Sequence, residues 1–317
     1  MIVKELNKRY NEVCTSVVEK RLKNALDTLK VLVDETHLGD FKDRLYQMEN
    51  TYENLLKYTL EGIDDPERKK VYNHLLLSIL KLADQANEKI LSDGSGWHSC
   101  SLKTELDKEQ TLTGKIIVEK LEDLSFKHQL DEALKEAKVL ETPRQSFESQ
   151  KHTEVISRIF THLWLSNYYK EAEKGLISTI QDPDRFYWYE RSILVSSISL
   201  SLLRHFDVQK FLSLYDFYQM GEFEVWQRAL IGLIMGFYHY NSRITLYPEL
   251  LSLMKKLGNR EGIEKEFEQI LIQFLRSGET EKISRKIRDE IVPEMTKLAP
   301  KLSDKLDLDK LIPNDFP

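Results

Sequence analysis

Apolar residues in this chain recur every three or four positions, the rhythm of helices that bury one face. Within residues 4–36, Val17, Leu22, Ala25, Leu26, Leu29, Leu32 and Val33 keep it. A break near Thr15-Ser16 predicts a second helix, with Ser16 as its cap and Glu19 completing a capping box. His37-Leu38-Gly39-Asp40 ends that helix and caps the next, residues 41–61, where Leu45, Met48, Tyr52, Leu55, Leu56 and Leu60 share a face. Gly62 suits the left-handed position after a helix, Asp65 an N-cap, and Pro66 the first turn of a long helix reaching about Leu91.

Residues 92–101, rich in Ser and Gly, have loop composition and lead into an irregular stretch, residues 102–112. Helical spacing resumes over 116–140, stops at Glu141-Thr142-Pro143, and gives way to a polar connector, residues 144–151. From His152 the pattern predicts a helical hairpin, then two more: 186–203 with 208–218, and 225–240 with 247–257. A last pair spans 263–275 and 280–298, with Gly278 in the turn and Pro293 bending or ending the second helix. Asp182-Pro183-Asp184-Arg185 repeats the punctuation around Pro66; two related halves and two ordinary capped helix starts both account for it.

Set on one another, Tyr189-Glu190-Arg191-Ser192-Ile193-Leu194 and Trp226-Gln227-Arg228-Ala229-Leu230-Ile231 agree in residue type, about 37 positions apart. Such self-similarity marks helix pairs that bury their apolar faces only against neighbouring pairs. The expected fold is all-α, an α-α superhelix (solenoid) of antiparallel hairpins. Residues 1–143 would form an N-terminal hairpin region, 144–300 the main array, and 301–317 a linker or tail. That tail is a poor cap for an array, so the expectation is a chain that continues past Pro317.

The hairpin carrying Leu22, Ala25, Leu26 and Leu29 resembles a tetratricopeptide repeat, and the segments beginning at Glu190 and Trp226 resemble HEAT-type repeats. Joined through Asp64-Asp65-Pro66-Glu67-Arg68-Lys69-Lys70, they resemble the N-terminal region of an uncharacterised bacterial helical-repeat family. The resemblance implies a tetratricopeptide-like start and a HEAT-like second half, a scaffold, and no catalytic residues.

Charge narrows the partners. A net charge of −6 and a pI of 5.9 argue against general affinity for nucleic acid or anionic membranes. Cys14 and Cys100, far apart, suit a reducing compartment rather than a disulfide framework. The N-terminus lacks the apolar core of a secretory signal, and the longest apolar runs fall short of the ~20 residues of a membrane span. A cytoplasmic protein with no membrane span is expected.

Chemistry is sparse. No zinc-protease, paired-cysteine, calcium-loop or dinucleotide pattern occurs, so no catalytic residue, metal or cofactor is expected. Trp97-His98-Ser99-Cys100 brings an imidazole near a thiol without a second ligand cluster, and Gly114-Lys115 lacks the rest of a phosphate loop. The aromatics are denser. Tyr189, Ile193, Ser196 and Leu200 share one helix face, as do Trp226, Leu230, Leu233 and Phe237, and both stripes are expected in the core. Phe186, Tyr187 and Trp188 are adjacent, so at least one must face outward. Tyr187, Trp188, Arg191 and Arg228 are the candidate partner-binding residues. The alternative for the arginines is a structural pair with Glu190, Glu222 or Glu224. The expected function is a non-catalytic scaffold of helical repeats that binds a peptide or protein partner on its concave face. The runner-up is a nucleic-acid-binding or DNA-repair protein on the same scaffold, suggested by Lys282, Arg285, Lys286 and Arg288, with which acidic residues interleave. Self-association through an open C-terminal end is a third reading.

Overall fold

A computed structural model describes residues 3–61, 67–94, 145–183 and 185–286, with 288, 289 and 293. Among them are eleven α-helices, one short 3-10 turn and no strand. The loop with Trp97 and Cys100, Gly114-Lys115, residues 116–140, Asp65-Pro66 and the tail lie outside the described residues. The chain divides into two compact units, residues 1–254 and 255–317.

In the first unit, α1 (Val3–Val18), α2 (Leu22–Thr36), α3 (Gly39–Leu60) and α4 (Arg68–Gly94) enclose one apolar core. α2 is its most regular contributor, burying Leu22, Ala25, Leu26, Leu29, Leu32 and Val33. Full burial of each such leucine stabilises the fold by roughly 1.5–3 kcal/mol. The start of α2 falls five residues later than the sequence predicts, with Arg21 rather than Ser16 at the N-cap. Ser16 is buried inside α1, and the turn forms where Lys20 takes a left-handed φ of 61° and Arg21 N–H donates to Ser16 O at 2.8 Å. Hydrophobic period outweighed capping chemistry there. α2 ends as expected, with His37 left-handed (φ 55°) and its N–H on Asp34 O.

Six more helices follow: α5 (Gln145–Leu165), α6 (Glu171–Ile180), α7 (Trp188–Arg204), α8 (Val208–Met220), α9 (Trp226–His239) and, after a 3-10 turn at Ile244–Leu246, α10 (Pro248–Gly258). Of the three expected hairpins, α7 with α8 packs as a neighbouring pair. The backbone is already helical at Gln145, so residues 145–151 of the expected polar connector are the first part of α5, and Arg144 lies outside the described residues. Ser192, Ser196, Ser199 and Leu202 of α7 meet Glu224, Arg228, Gly232 and Gly236 in the same order, so α7 and α9 run parallel. Ser201 and Arg204 at the end of α7 donate to Ser166 O and to Trp164 O and Leu165 O at the end of α5.

Burial repeats from α7 to α9. Glu190, Leu194, Val195, Ser197, Ile198 and Ser201 are buried, and so are Val225, Ala229, Leu230, Gly232, Leu233 and Gly236, each 35 positions later. Matching residue types predicts 37, two positions out of phase with the packing. Hence Arg191 and Arg228 do not occupy equivalent places: Ile193 is the counterpart of Arg228. Small residues set the spacing. A Cβ on Gly232 would lie 2.1 Å from Ser199 Oγ, and one on Gly236 2.5 Å from Leu202 Cδ2.

α4 joins the four-helix core to the helices that follow through buried charge. Arg243, in the turn after α9, donates to both Asp84 oxygens at 3.1 and 3.0 Å and to Tyr10 Oη at 3.0 Å; Tyr10 donates in turn to Asp84 at 2.6 Å. Phe206 and Tyr240 lie 4.1 and 4.8 Å from its guanidinium. Burial opposes the charge on Arg243, but Asp84 and Tyr10 hold it protonated more firmly than usual. One turn along α4, Glu88 accepts from Arg204 at 2.7 Å and from Asn167. Lys210 is wholly buried, donating to Ser201 O and His205 O, and burial lowers its ammonium to about 7 against the pull of Asp207. Burial, with Lys210 nearby, holds the His205 imidazole neutral down to about 3.

Within the second unit α11 (Ile263–Lys286) is one continuous helix. Gly278 lies inside it rather than in a turn. A glycine in a helix interior costs about 1 kcal/mol relative to alanine, too little to end a helix whose neighbours favour it.

Candidate functional site: an exposed aromatic face

The first turn of α7 is fixed by its third residue. Tyr187 is extended (φ −69°, ψ 153°), and its N–H donates to the Glu190 carboxylate at 3.0 Å, which closes the helix start. Phe186 is thereby turned into the core at 2% exposure, while Tyr187, Trp188 and Tyr189 stay 56%, 48% and 46% exposed. The requirement that one of the adjacent aromatics face outward is met by Tyr187 and Trp188 together.

The three exposed rings form a cluster. Tyr187 and Tyr189 stack with centroids 5.4 Å apart and planes within 6°, and Trp188 sets its edge against Tyr189 at 5.8 Å. Such ring pairs hold one another without the core, so an exposed ledge keeps a defined shape.

The ledge continues along α7, which corrects the expectation that Tyr189, Ile193, Ser196 and Leu200 are core. Tyr189, Ile193 and Leu200 are exposed and Ser196 is half-buried; the buried side carries Leu194, Val195, Ile198 and Leu202. α7 is apolar on both sides, so apolar spacing alone does not decide which side turns in. Small serines share the buried side with these aliphatics: Ser197 satisfies its hydroxyl on the Leu194 carbonyl within α7, and Ser201 donates to Ser166 O where the end of α5 comes close. The stripe Trp226, Leu230, Leu233, Phe237 does turn inward, with Leu230 and Leu233 fully buried and the two aromatics half-buried.

The two candidate arginines part company. Arg191 lies inside, its side chain 4% exposed, and its guanidinium bridges Nε to Glu222 Oε2 at 2.8 Å and Nη2 to Glu222 Oε1, with Nη1 on the Phe186 carbonyl. It fastens the start of α7 to the α8–α9 turn and is removed from the surface. Arg228 is exposed, donates from Nη1 to Ser196 Oγ at 3.1 Å, and makes no ion pair among the described residues. Through Ser196 it borders the exposed side of α7. Tyr187, Trp188 and Arg228 therefore lie on this face with Tyr189, Ile193 and Leu200.

Among the described residues no group of three or more His, Cys, Asp or Glu could hold a metal ion. Cys14 is buried, and burial pushes its thiol up to about 11, far from thiolate chemistry. Lys282 and Arg285 are exposed, but Arg285 is paired with Glu281 at 2.8 Å. Among the described residues no helix is long and apolar enough to cross a membrane. Comparison with family models, with curated proteins and with solved structures gave no match.

Proposed function

We propose that this protein is a non-catalytic interaction scaffold, and that the exposed side of α7 with Arg228 receives an amphipathic helical segment of a partner protein. One observation carries the reading: a fixed cluster of three exposed aromatics continues into Ile193 and Leu200, where a surface helix is ordinarily polar. From Tyr189 to Leu200 the strip spans about 16 Å, three turns of a docked helix. Arg228, an unpaired cation at its border in an otherwise acidic chain, selects a partner with a carboxylate beside its apolar stripe. The parallel run of α5, α7 and α9 supports the superhelical hairpin array, of tetratricopeptide or HEAT type, on which such surfaces occur. The acidic balance supports a cytoplasmic protein partner over nucleic acid.

The test is selection from a displayed library of helical peptides, followed by affinity measurement against wild type and Trp188→Ala/Arg228→Glu. Acidic amphipathic peptides should be enriched and should bind the double variant at least tenfold more weakly. Equal binding to both proteins overturns the surface. Selection of no peptide, with salt-sensitive binding of single- or double-stranded DNA instead, would favour the nucleic-acid reading.

A further inference from the structure

We infer that the groove between α3 and α4 binds a small organic anion with a short apolar body. α3 contributes Arg44, Gln47, Met48 and Thr51, a stripe at i, i+3, i+4 and i+7, and α4 contributes His74, Leu75, Ser78 and Lys81; together they enclose about 310 Å³. That volume is at the small end of ligand sites.

The charge lining this groove is one-sided. It has no aspartate or glutamate, although acidic residues outnumber basic ones 52 to 46 over the whole chain. Other cations on or beside these two helices find carboxylates one turn away: Lys57 on Glu61, Lys70 on Glu67, Lys89 on Asp93. Arg44 and Lys81 have no such partner among the described residues. Arg44 Nη1 donates to the Gln85 amide oxygen at 2.7 Å and its guanidinium lies 5.7 Å from the Phe41 ring. The Lys81 ammonium lies 5.4 Å from the Tyr168 ring. An amide and aromatic faces orient both cations without neutralising them, which leaves two positive charges on the border of one concavity.

The floor fixes the rest of the ligand. Met48 and Leu75, 8% and 2% exposed, supply an apolar base. Thr51, Ser78 and His74 lie farther along the antiparallel pair, away from the Arg44–Gln85 contact. Thr51 donates to Gln47 O, and Ser78 Oγ lies 3.5 Å from His74 Nδ1, so this end is polar but carries no second strong charge. An anionic head, carboxylate or phosphate, meets Arg44 and Lys81 while the apolar body covers Met48 and Leu75.

The experiment titrates the full-length chain with hexanoate and hexyl phosphate, against hexanol, hexylamine and inorganic phosphate, following backbone amide shifts. At least one of the two amphiphilic anions should bind tenfold more tightly than hexanol and than inorganic phosphate, with shifts concentrated at residues 44–51 and 74–81. The tighter of the two identifies the head. Lys81→Gln, at an exposed position, should weaken that binding about tenfold, and Ser78→Leu, which fills the groove, should abolish it. Equal affinity for hexanol and the anions, shifts elsewhere, or unchanged affinity in Lys81→Gln would each overturn the proposal, and so would inorganic phosphate binding as tightly as hexyl phosphate.

Discussion

Arg243 and Asp84 stand 159 positions apart in the chain and meet in a two-pronged ion pair with almost no access to water. A pair so enclosed gains little over an apolar pair of the same shape, but losing one member strands a charge. Asp84→Ala should therefore lower stability by about 3–5 kcal/mol. Asp84→Leu combined with Arg243→Met should lose much less than the two single changes added together. Urea denaturation of the four proteins measures the coupling; additive losses would mean that the pair is not a unit.

Lys210 gives the fold a pH dependence of known sign. Its ammonium is lowered from the ordinary lysine value to about 7, so below that pH the folded state carries a charge that the unfolded chain holds at less cost. The penalty is full below pH 7 and fades as pH rises toward the unfolded value near 10.5. Wild type should gain stability relative to Lys210→Met between pH 7 and 10, as measured by denaturation at pH 6, 8 and 9.5. A constant difference across that range would show that the ammonium is not disfavoured by its burial.

Two glycine substitutions should have opposite signs. Alanine gains about 1 kcal/mol over glycine in a helix interior. At Gly175, where a Cβ meets nothing within 4 Å, that gain should appear as a higher melting temperature. At Gly236 a Cβ would press on Leu202 at 2.5 Å and Phe211 at 3.0 Å, and overpacking of about 1–3 kcal/mol should outweigh the helical gain. A stabilised Gly236→Ala would mean that α7 and α9 can move apart freely.

The proposed docking face should be expendable for folding. Trp188→Ala and Arg228→Glu alter exposed side chains and should each shift stability by about 0.5 kcal/mol or less. Arg191→Ala, by contrast, strands Glu222 beside a buried gap and should cost several times more. Chemical denaturation of the three variants separates the surface arginine from the structural one.

Much of the helical content was legible in the spacing of apolar residues, because each helix must bury a stripe whatever it packs against. α2 and α8 follow their stripes closely. The start of α5 was not legible, since its polar first turns carry no stripe, and Gly278 misled because a breaker residue is only a small local penalty. The inward face of α7 is not legible for a different reason: both its sides are apolar, so apolar spacing does not say which one turns in. Matching Arg191 with Arg228 followed residue type, whereas packing repeats with burial. Arg243 was invisible as a site, being a lone polar residue in a turn whose partners lie far away in sequence. Glu222 was among the carboxylates expected for Arg191, and it is the partner found.

Turns between helices are commonly the parts of a protein that accept a changed length. The turn after α9 is of another kind, since its Arg243 is 1% exposed and is gripped by Asp84, Tyr10, Phe206 and Tyr240. Lengthening it by even one residue would withdraw the guanidinium from α4, so this connection is as intolerant of inserted tags, cleavage or new chain ends as the apolar core itself.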